Sequence, residues 1–246
     1  MFHMSVPEVV VAGAAGDIGR ATLDVFAKRG LAAVGWDKKP APGLQVCDVL
    51  DDDAMATRVA ALQELRYVVV VAGGGDLDEL NAADVTDESL EVFRRVVETN
   101  LHSAFNVIRH TVPLLRNASG DRSITLISSI NAYGGYGAPG YSAAKAGLSG
   151  LTRSLAPKLG KDGIRINVLT LGTVDTSNAR QLSDASGVPL DDSAIADATA
   201  LGRPQSPEDV ATAIAAFAID LTSTTGAEHV LDAGQTILRR PIFTKH

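Results

Sequence analysis

Five short runs of apolar, mostly β-branched residues, at 9–12, 31–36, 68–72, 124–127 and 164–169, alternate with longer stretches in which apolar positions recur every three or four residues. Short, largely β-branched runs of this kind are the mark of strands buried on both faces. The stretches between them, 18–29, 54–65, 90–115 and 141–159, carry helical spacing. A further helix opens at Ser206-Pro207-Glu208-Asp209 and runs through Phe217, ahead of a final strand near 229–231. This alternation predicts an α/β fold: a doubly wound parallel sheet of about seven strands with helices on both faces. Composition does not shift along the chain, so one domain over 1–246 is expected. Within it, 173–204 is rich in Ser, Asp, Ala and Gly and too long for a plain connection, which predicts a loop serving as a substrate lid.

Composition narrows the function classes. With 46% hydrophobic and 21% charged side chains in 246 residues, the chain can bury one large core. No apolar stretch reaches the ~18 to 20 residues that span a bilayer, and residues 1–7 are too short and too weakly apolar for a secretory signal, so a cytoplasmic chain away from membranes is expected. A net charge of −7 disfavours nucleic acid as a partner. The single Cys47 cannot form an intrachain disulfide and reads as a small buried residue. His3, His102, His110, His229 and His246 are scattered, so no metal centre is expected. Asp51-Asp52-Asp53 reads as a solvated helix start.

The first chemistry follows the first strand directly: Gly13-Ala14-Ala15-Gly16-Asp17-Ile18-Gly19, then a helix. Strand, glycine turn and helix in that order let backbone N–H groups approach a pyrophosphate at the positive end of the helix, the arrangement of a Rossmann-type sheet. Asp37 ends the second strand, where a carboxylate can accept hydrogen bonds from an adenosine ribose. Its charge would repel a 2′-phosphate, so NAD is expected over NADP, although Lys38 and Lys39 lie close enough to reach a phosphate. Trp36 could flank the adenine or simply be buried.

The most specific stretch runs from Ser128-Ser129-Ile130-Asn131-Ala132 to Tyr141-Ser142-Ala143-Ala144-Lys145. Tyr and Lys four residues apart project from one face of a helix. Together with the glycine loop, this resembles the single-domain branch of the short-chain dehydrogenases/reductases over about residues 8–234. The resemblance implies a catalytic tetrad of Asn100, Ser129, Tyr141 and Lys145. It also implies cofactor contacts from Gly13, Gly16, Asp17, Ile18, Gly19 and Asp37, from Asp48 and Val49 beside the adenine, from Ala72-Gly73 beside the ribose, and from Gly172, Val174 and Thr176 near the nicotinamide, with Tyr141 and Lys145 completing the set. Asp232-Ala233-Gly234 resembles the family's closing Asp-Gly-Gly, placed near subunit contacts in its usual tetramers, so a homo-oligomer, tetramer or dimer, is implied.

Four departures stand out. The spacing Gly-x-x-Gly-x-x-Gly is commoner in the longer branch that includes sugar-nucleotide epimerases, whose second domain this chain has no room for. Val71 replaces a usual Asn that braces the central strand. Leu171 replaces the usual Pro before Gly172, which should loosen that turn. Ser129 precedes Tyr141 by twelve residues, one fewer than usual; Ser128 would restore the count, but the second Ser normally aligns, and Ser129 is preferred.

The resemblance implies an oxidoreductase moving a hydride between NAD(H) and a small or medium secondary alcohol or ketone. Tyr141 would be the general acid/base, Lys145 its electrostatic support and ribose contact, Ser129 the holder of the substrate oxygen, and Asn100 the anchor of a water linking Lys145 to solvent. An unperturbed phenol titrates near pH ~10, so acting near neutrality needs roughly 3 to 4 kcal/mol of phenolate stabilisation. The alternatives are a catalytically silent NAD-binding sensor, expected to lose Tyr or Lys, and epimerase or dehydratase chemistry on a sugar nucleotide, disfavoured by length. Enoyl reductases of this kind separate Tyr and Lys more widely, and halohydrin dehalogenases carry Arg at the Lys position. Tyr133 and Tyr136 could line the substrate pocket with Asn131, and Asp184, Asp191, Asp192 and Asp197 would turn away anions if the lid closes over the site. The tail at 239–243 could dock on a neighbouring subunit.

Overall fold

The computed structural model describes residues 8–134, 138–187 and 190–238. Tyr136, His3, His246 and the tail at 239–243 lie outside the described residues. In chain order the strands are β1 (Val9–Ala12), β2 (Ala33–Asp37), β3 (Gln45–Val46), β4 (Tyr67–Val70), β5 (Arg122–Ser129), β6 (Ile164–Leu171) and β7 (Glu228–Leu231). They form one parallel sheet in the order β3-β2-β1-β4-β5-β6-β7. The helices are α1 (Asp17–Lys28), α2 (Asp52–Ala60), α3 (Leu77–Asn81), α4 (Leu90–Val97), α5 (Ser103–Asn117), α6 (Pro139–Gly160), α7 (Ser177–Ala185), α8 (Asp192–Asp197) and α9 (Pro207–Ala215). This is the Rossmann-type sheet expected, with seven strands.

The continuous apolar strands have a simple cause: successive residues feed two cores. Val9 and Val11 pack with Phe26 of α1 and Val210 and Ile214 of α9. Val10 and Ala12 pack on the opposite face with Met55 of α2, Val107 of α5 and Leu148 of α6. All four β1 residues are fully buried, and each Val contributes roughly 1.5–3 kcal/mol on that account. The strand order reverses beside β1, where β1 and β4 part at their C-terminal ends, the crevice in which open α/β sheets take ligands.

Three expectations change. The single helix expected over 90–115 is α4 and α5 separated by a π turn at Glu98–His102. Strand β3 and helix α3 were not anticipated. The 173–204 segment holds two helices, α7 and α8, in place of a loop. Asp51 does cap α2, accepting from the Asp53 and Ala54 N–H groups. Among the described residues, no helix is long and apolar enough to cross a membrane.

Candidate active site

The C-terminal ends of β1, β2, β4, β5 and β6 open into a cleft of about 690 Å³, within the usual range for ligand sites. Its near wall is the glycine loop. Gly13 has φ +88°, and a Cβ there would sit 2.4 Å from the Ala72 backbone nitrogen, so this turn admits only glycine. A Cβ on Gly19 would sit 2.4 Å from the Gly13 carbonyl, which explains the close approach of α1 to β1. A Cβ on Gly16 would find nothing nearer than 3.9 Å. The loop therefore has one tight turn, one backbone face open to the cleft and one packing contact, the three jobs a dinucleotide loop needs, despite its unusual spacing.

Asp37 sits at the end of β2 with its position fixed: Oδ2 accepts from Ala15 N–H and Oδ1 from Lys39 N–H, each at 2.9 Å. Gly13, Gly16, Asp17, Ile18, Asp37, Asp48, Val49, Ala72, Gly73, Ser129, Tyr141, Lys145, Gly172, Val174 and Thr176 all line the cleft, while Gly19 and Asn100 lie behind it. Trp36 is fully buried, its indole N–H reaching Gln45 Oε1 at 3.2 Å, and takes no part in the wall. Cys47 lines the cleft but is buried, its thiol 3.7 Å from Met55 Sδ. The donors and the open backbone face fit a dinucleotide.

At the other end of the cleft, Ser129 closes β5 and Tyr141 and Lys145 lie on successive turns of α6. Lys145 is 4% exposed; its Nζ donates to the Ile127 carbonyl at 3.0 Å and stands 5.4 Å from the centre of the Tyr141 ring. Burial pulls the Lys145 ammonium down to about 8. Burial also pushes the Tyr141 phenol above its ordinary value, a hydrogen bond shared with Ser129 opposes it, and the charge of Glu79 adds to it. Desolvation by burial is thus the largest influence this chain exerts on the phenol. Ser128, the alternative serine, is 2% exposed and donates to the Lys145 carbonyl at 2.9 Å, pinning α6 to β5. Ser129 instead shares its hydroxyl with Asn131 Oδ1 at 3.0 Å and faces Tyr141.

Asn100 sits in the π turn, 1% exposed. Its Nδ2 donates to the Gly74 and Val96 carbonyls, each at 3.0 Å, and its Oδ1 accepts from Gly74 N–H at 2.9 Å. Both amide donors are used, leaving one acceptor lone pair. The extra residue of a π turn re-aims a side chain, and here it turns Asn100 onto the glycine run that follows β4. A Cβ on Gly73 would meet Asn100 Oδ1 at 2.5 Å and Lys145 Nζ at 3.3 Å, so Gly73 keeps the space between the two clear. The end of β4 is held without the missing Asn by the Val71 and Ala72 N–H groups, which both donate to the Ala12 carbonyl at 2.8 and 2.9 Å.

The turn after Leu171 is held by hydrogen bonds. Gly172 N–H donates to Leu231 O at 3.0 Å, and Thr173 N–H to Gln235 Oε1 at 2.9 Å, so the closing segment of the chain ties it down where a proline would have stiffened it. The acidic residues of the 173–204 segment serve its own helices. Asp191 caps α8, accepting from Ser193 N–H at 2.8 Å, Asp192 pairs with Arg180 at 3.1 Å, and none of the four lines the cleft. Asp17, one of the carboxylates that do line it beside Asp37 and Asp48, accepts a 2.5 Å hydrogen bond from Ser177 N–H and joins the glycine loop to the first turn of α7. Tyr133 turns away from the pocket, donating to Glu228 Oε1 at 2.6 Å.

Sequence reasoning missed Glu79. It is 2% exposed and its Oε1 accepts from the Gly140 and Tyr141 N–H groups at 2.6 and 3.1 Å, capping α6. Nothing in its sequence setting, Asp76-Leu77-Asp78-Glu79, distinguishes it from its acidic neighbours. Among the described residues, no three His, Cys, Asp or Glu side chains gather as metal ligands.

A family profile described as enoyl-(acyl carrier protein) reductase matches residues 13–236. The cis-4-hydroxycyclohexanecarboxylate dehydrogenase of Sinomonas cyclohexanicum is 34% identical over 92% of this chain and 95% of its own. An uncharacterized short-chain type dehydrogenase/reductase of Sinorhizobium fredii is 32% identical over 95% of this chain, which spans only 44% of that protein's length. Ligand-free aldohexose dehydrogenase of Thermoplasma acidophilum superposes with a TM-score of 0.86 over 98% of both chains at 24% identity, a likeness of fold. The chain belongs to the short-chain dehydrogenase/reductase family of oxidoreductases.

Proposed function

We propose that the chain is an NAD-dependent alcohol dehydrogenase or carbonyl reductase acting on a small or medium secondary alcohol or ketone, and that it works as a homo-oligomer, tetramer or dimer, in the cytoplasm. The observation that carries the reading is one cleft with the open Gly16 backbone and the fixed Asp37 at one end, and Tyr141, Ser129 and Lys145 at the other. The nicotinamide cofactor, when bound, supplies or takes up the hydride. Asp37, held by two backbone N–H groups, cannot swing clear of a 2′-phosphate, which supports NAD over NADP.

Tyr141 takes the hydroxyl proton as the alcohol is oxidised and returns it in reduction. Ser129 holds the substrate oxygen, an interaction of the kind worth about 3–4 kcal/mol when it meets developing charge. Because the ligand-free phenol is raised, its activation requires positive charge beyond what this chain brings to bear, and a bound oxidised nicotinamide has the right sign. Lys145 supports the phenolate and binds the nicotinamide ribose. Asn100 holds the glycine run after β4, and its spare lone pair is the acceptor available to a water serving Lys145. The four-residue interval from Tyr141 to Lys145 favours this chemistry over enoyl reduction.

Absorbance at the nicotinamide band, followed with NAD or NADP and a panel of secondary alcohols and ketones, tests the reading. Turnover with kcat/KM at least about tenfold higher for NAD is expected, the discrimination of one repelled phosphate. Silence across the panel with tight NAD binding would point to a sensor instead.

A further inference from the structure

We propose that Glu79 is a positioning residue for Tyr141, holding the turn of α6 that carries the phenol and placing a negative charge against it. This rests on the reading of Tyr141 as the proton-transfer group.

The geometry is specific. Glu79 comes from α3, outside the sheet and outside the motifs that define the site, yet its Oε1 accepts from the Tyr141 backbone N–H at 3.1 Å and from Gly140 N–H at 2.6 Å. These are two of the first N–H groups of a 22-residue helix, which have no partner within it. A carboxylate there is favoured by the helix dipole as well as by the hydrogen bonds. The fit is tight on the other side too, because a Cβ on Gly140 would lie 2.8 Å from Glu79 Oε1 and 3.2 Å from the Phe93 ring. The second oxygen, Oε2, is buried with no hydrogen-bond partner among the described residues. Besides capping the helix, a carboxylate here brings a charge that acts on its surroundings.

That effect is on the neighbouring phenol. The groups facing Tyr141 are Ser129 from the end of β5, Lys145 from α6 itself and Glu79 from α3. Behind Glu79 stand Glu88 and Asp76, and Asp76 is paired with Arg95 of α4 at 2.9 Å. Burial and the charges of Glu88 and Asp76 hold the Glu79 carboxyl above its ordinary value while the two backbone N–H groups oppose this, and unlike Asp76 it has no ion-pair partner among the described residues. A like charge disfavours the phenolate, so Glu79 opposes loss of the Tyr141 proton. It keeps the phenol protonated until a cation enters the cleft, coupling proton transfer to occupancy of the site.

The test is the pH dependence of kcat/KM for alcohol oxidation in wild type, Glu79→Gln and Tyr141→Phe, with tyrosinate absorbance of the ligand-free proteins titrated in parallel and the Tyr141→Phe titration subtracted. Glutamine keeps an acceptor for the two N–H groups and removes the charge. The expected result is an acid limb moved to lower pH by about half a unit or more and the phenol titration moving the same way, in a variant that stays folded across the assayed pH range. Superposable profiles and titrations for wild type and Glu79→Gln would overturn the proposal, whereas full activity in Tyr141→Phe would overturn the underlying reading instead. If Glu79→Gln does not fold, Gly140→Ala, which displaces the carboxylate by contact, is expected to produce the same acid shift; a wild-type profile there overturns it.

Discussion

Lys145 shows how much a single residue can cost the fold that carries it. Its ammonium, 4% exposed and offered one carbonyl, falls from 10.5 to about 8, which corresponds to about 3 kcal/mol of destabilisation at neutral pH. Because the folded value is the lower one, the unfolded chain binds more protons between pH 8 and 10.5, and stability rises with pH across that window. Below pH 8 the cost is borne in full. Lys145→Met is therefore expected to melt a few degrees higher than wild type at pH 7, with the gap closing as pH rises toward 10.5, while turnover is lost. A variant that melts lower at pH 7 would contradict this. Tyr141 and Lys145 were legible in the sequence because a four-residue interval on a helix fixes a shared face. Glu79 was not, since its burial depends on where a five-residue helix lands against α6, a tertiary fact with no local pattern.

At the scale of elements, strands were read most easily, because burial on both faces removes the polar alternation that makes other segments ambiguous. β3 escaped because two exposed residues, Gln45 and Val46, carry no such run. The π turn at Glu98–His102 escaped for a different reason: one extra residue within a helix leaves apolar spacing nearly intact while turning Asn100 inward. Likewise the polar composition of 173–204 concealed α7 and α8, whose caps, Thr176 and Asp191, are the residues that made the stretch look irregular. The contact from Ser177 N–H to Asp17 has a measurable consequence. It sets a carboxylate at the mouth of the loop that would receive a pyrophosphate, so Asp17→Asn is expected to tighten NAD binding several-fold in a fluorescence titration, by removing like charge while keeping an acceptor for α7. Weaker binding in that variant would show that the charge itself helps hold the cofactor.

Across the whole molecule, two cores back the cleft, and one side chain ties the far end of the sheet together. Arg165 at the start of β6 donates to the Phe217, Ala218 and Leu221 carbonyls at 3.0, 2.7 and 3.2 Å, and pairs with Asp121 at 2.7 Å, its side chain 8% exposed. It thereby supplies donors to the carbonyls of the π turn at Ala216–Asp220, which follows α9, and of Leu221 beyond it. Arg165→Met would leave those carbonyls and Asp121 without their partner, and urea unfolding is expected to record a loss of about 3–5 kcal/mol; a loss under about 1 kcal/mol would mean water substitutes freely. This network and the cores set the frame that presents Tyr141, the group proposed to move the proton, to the cleft. The most direct measurement is steady-state turnover of Tyr141→Phe with NAD and a secondary alcohol that the wild type oxidises, alongside its NAD affinity. Loss of turnover by at least about a hundredfold with NAD affinity within a few-fold of wild type is the predicted result. Turnover at the wild-type rate would contradict it.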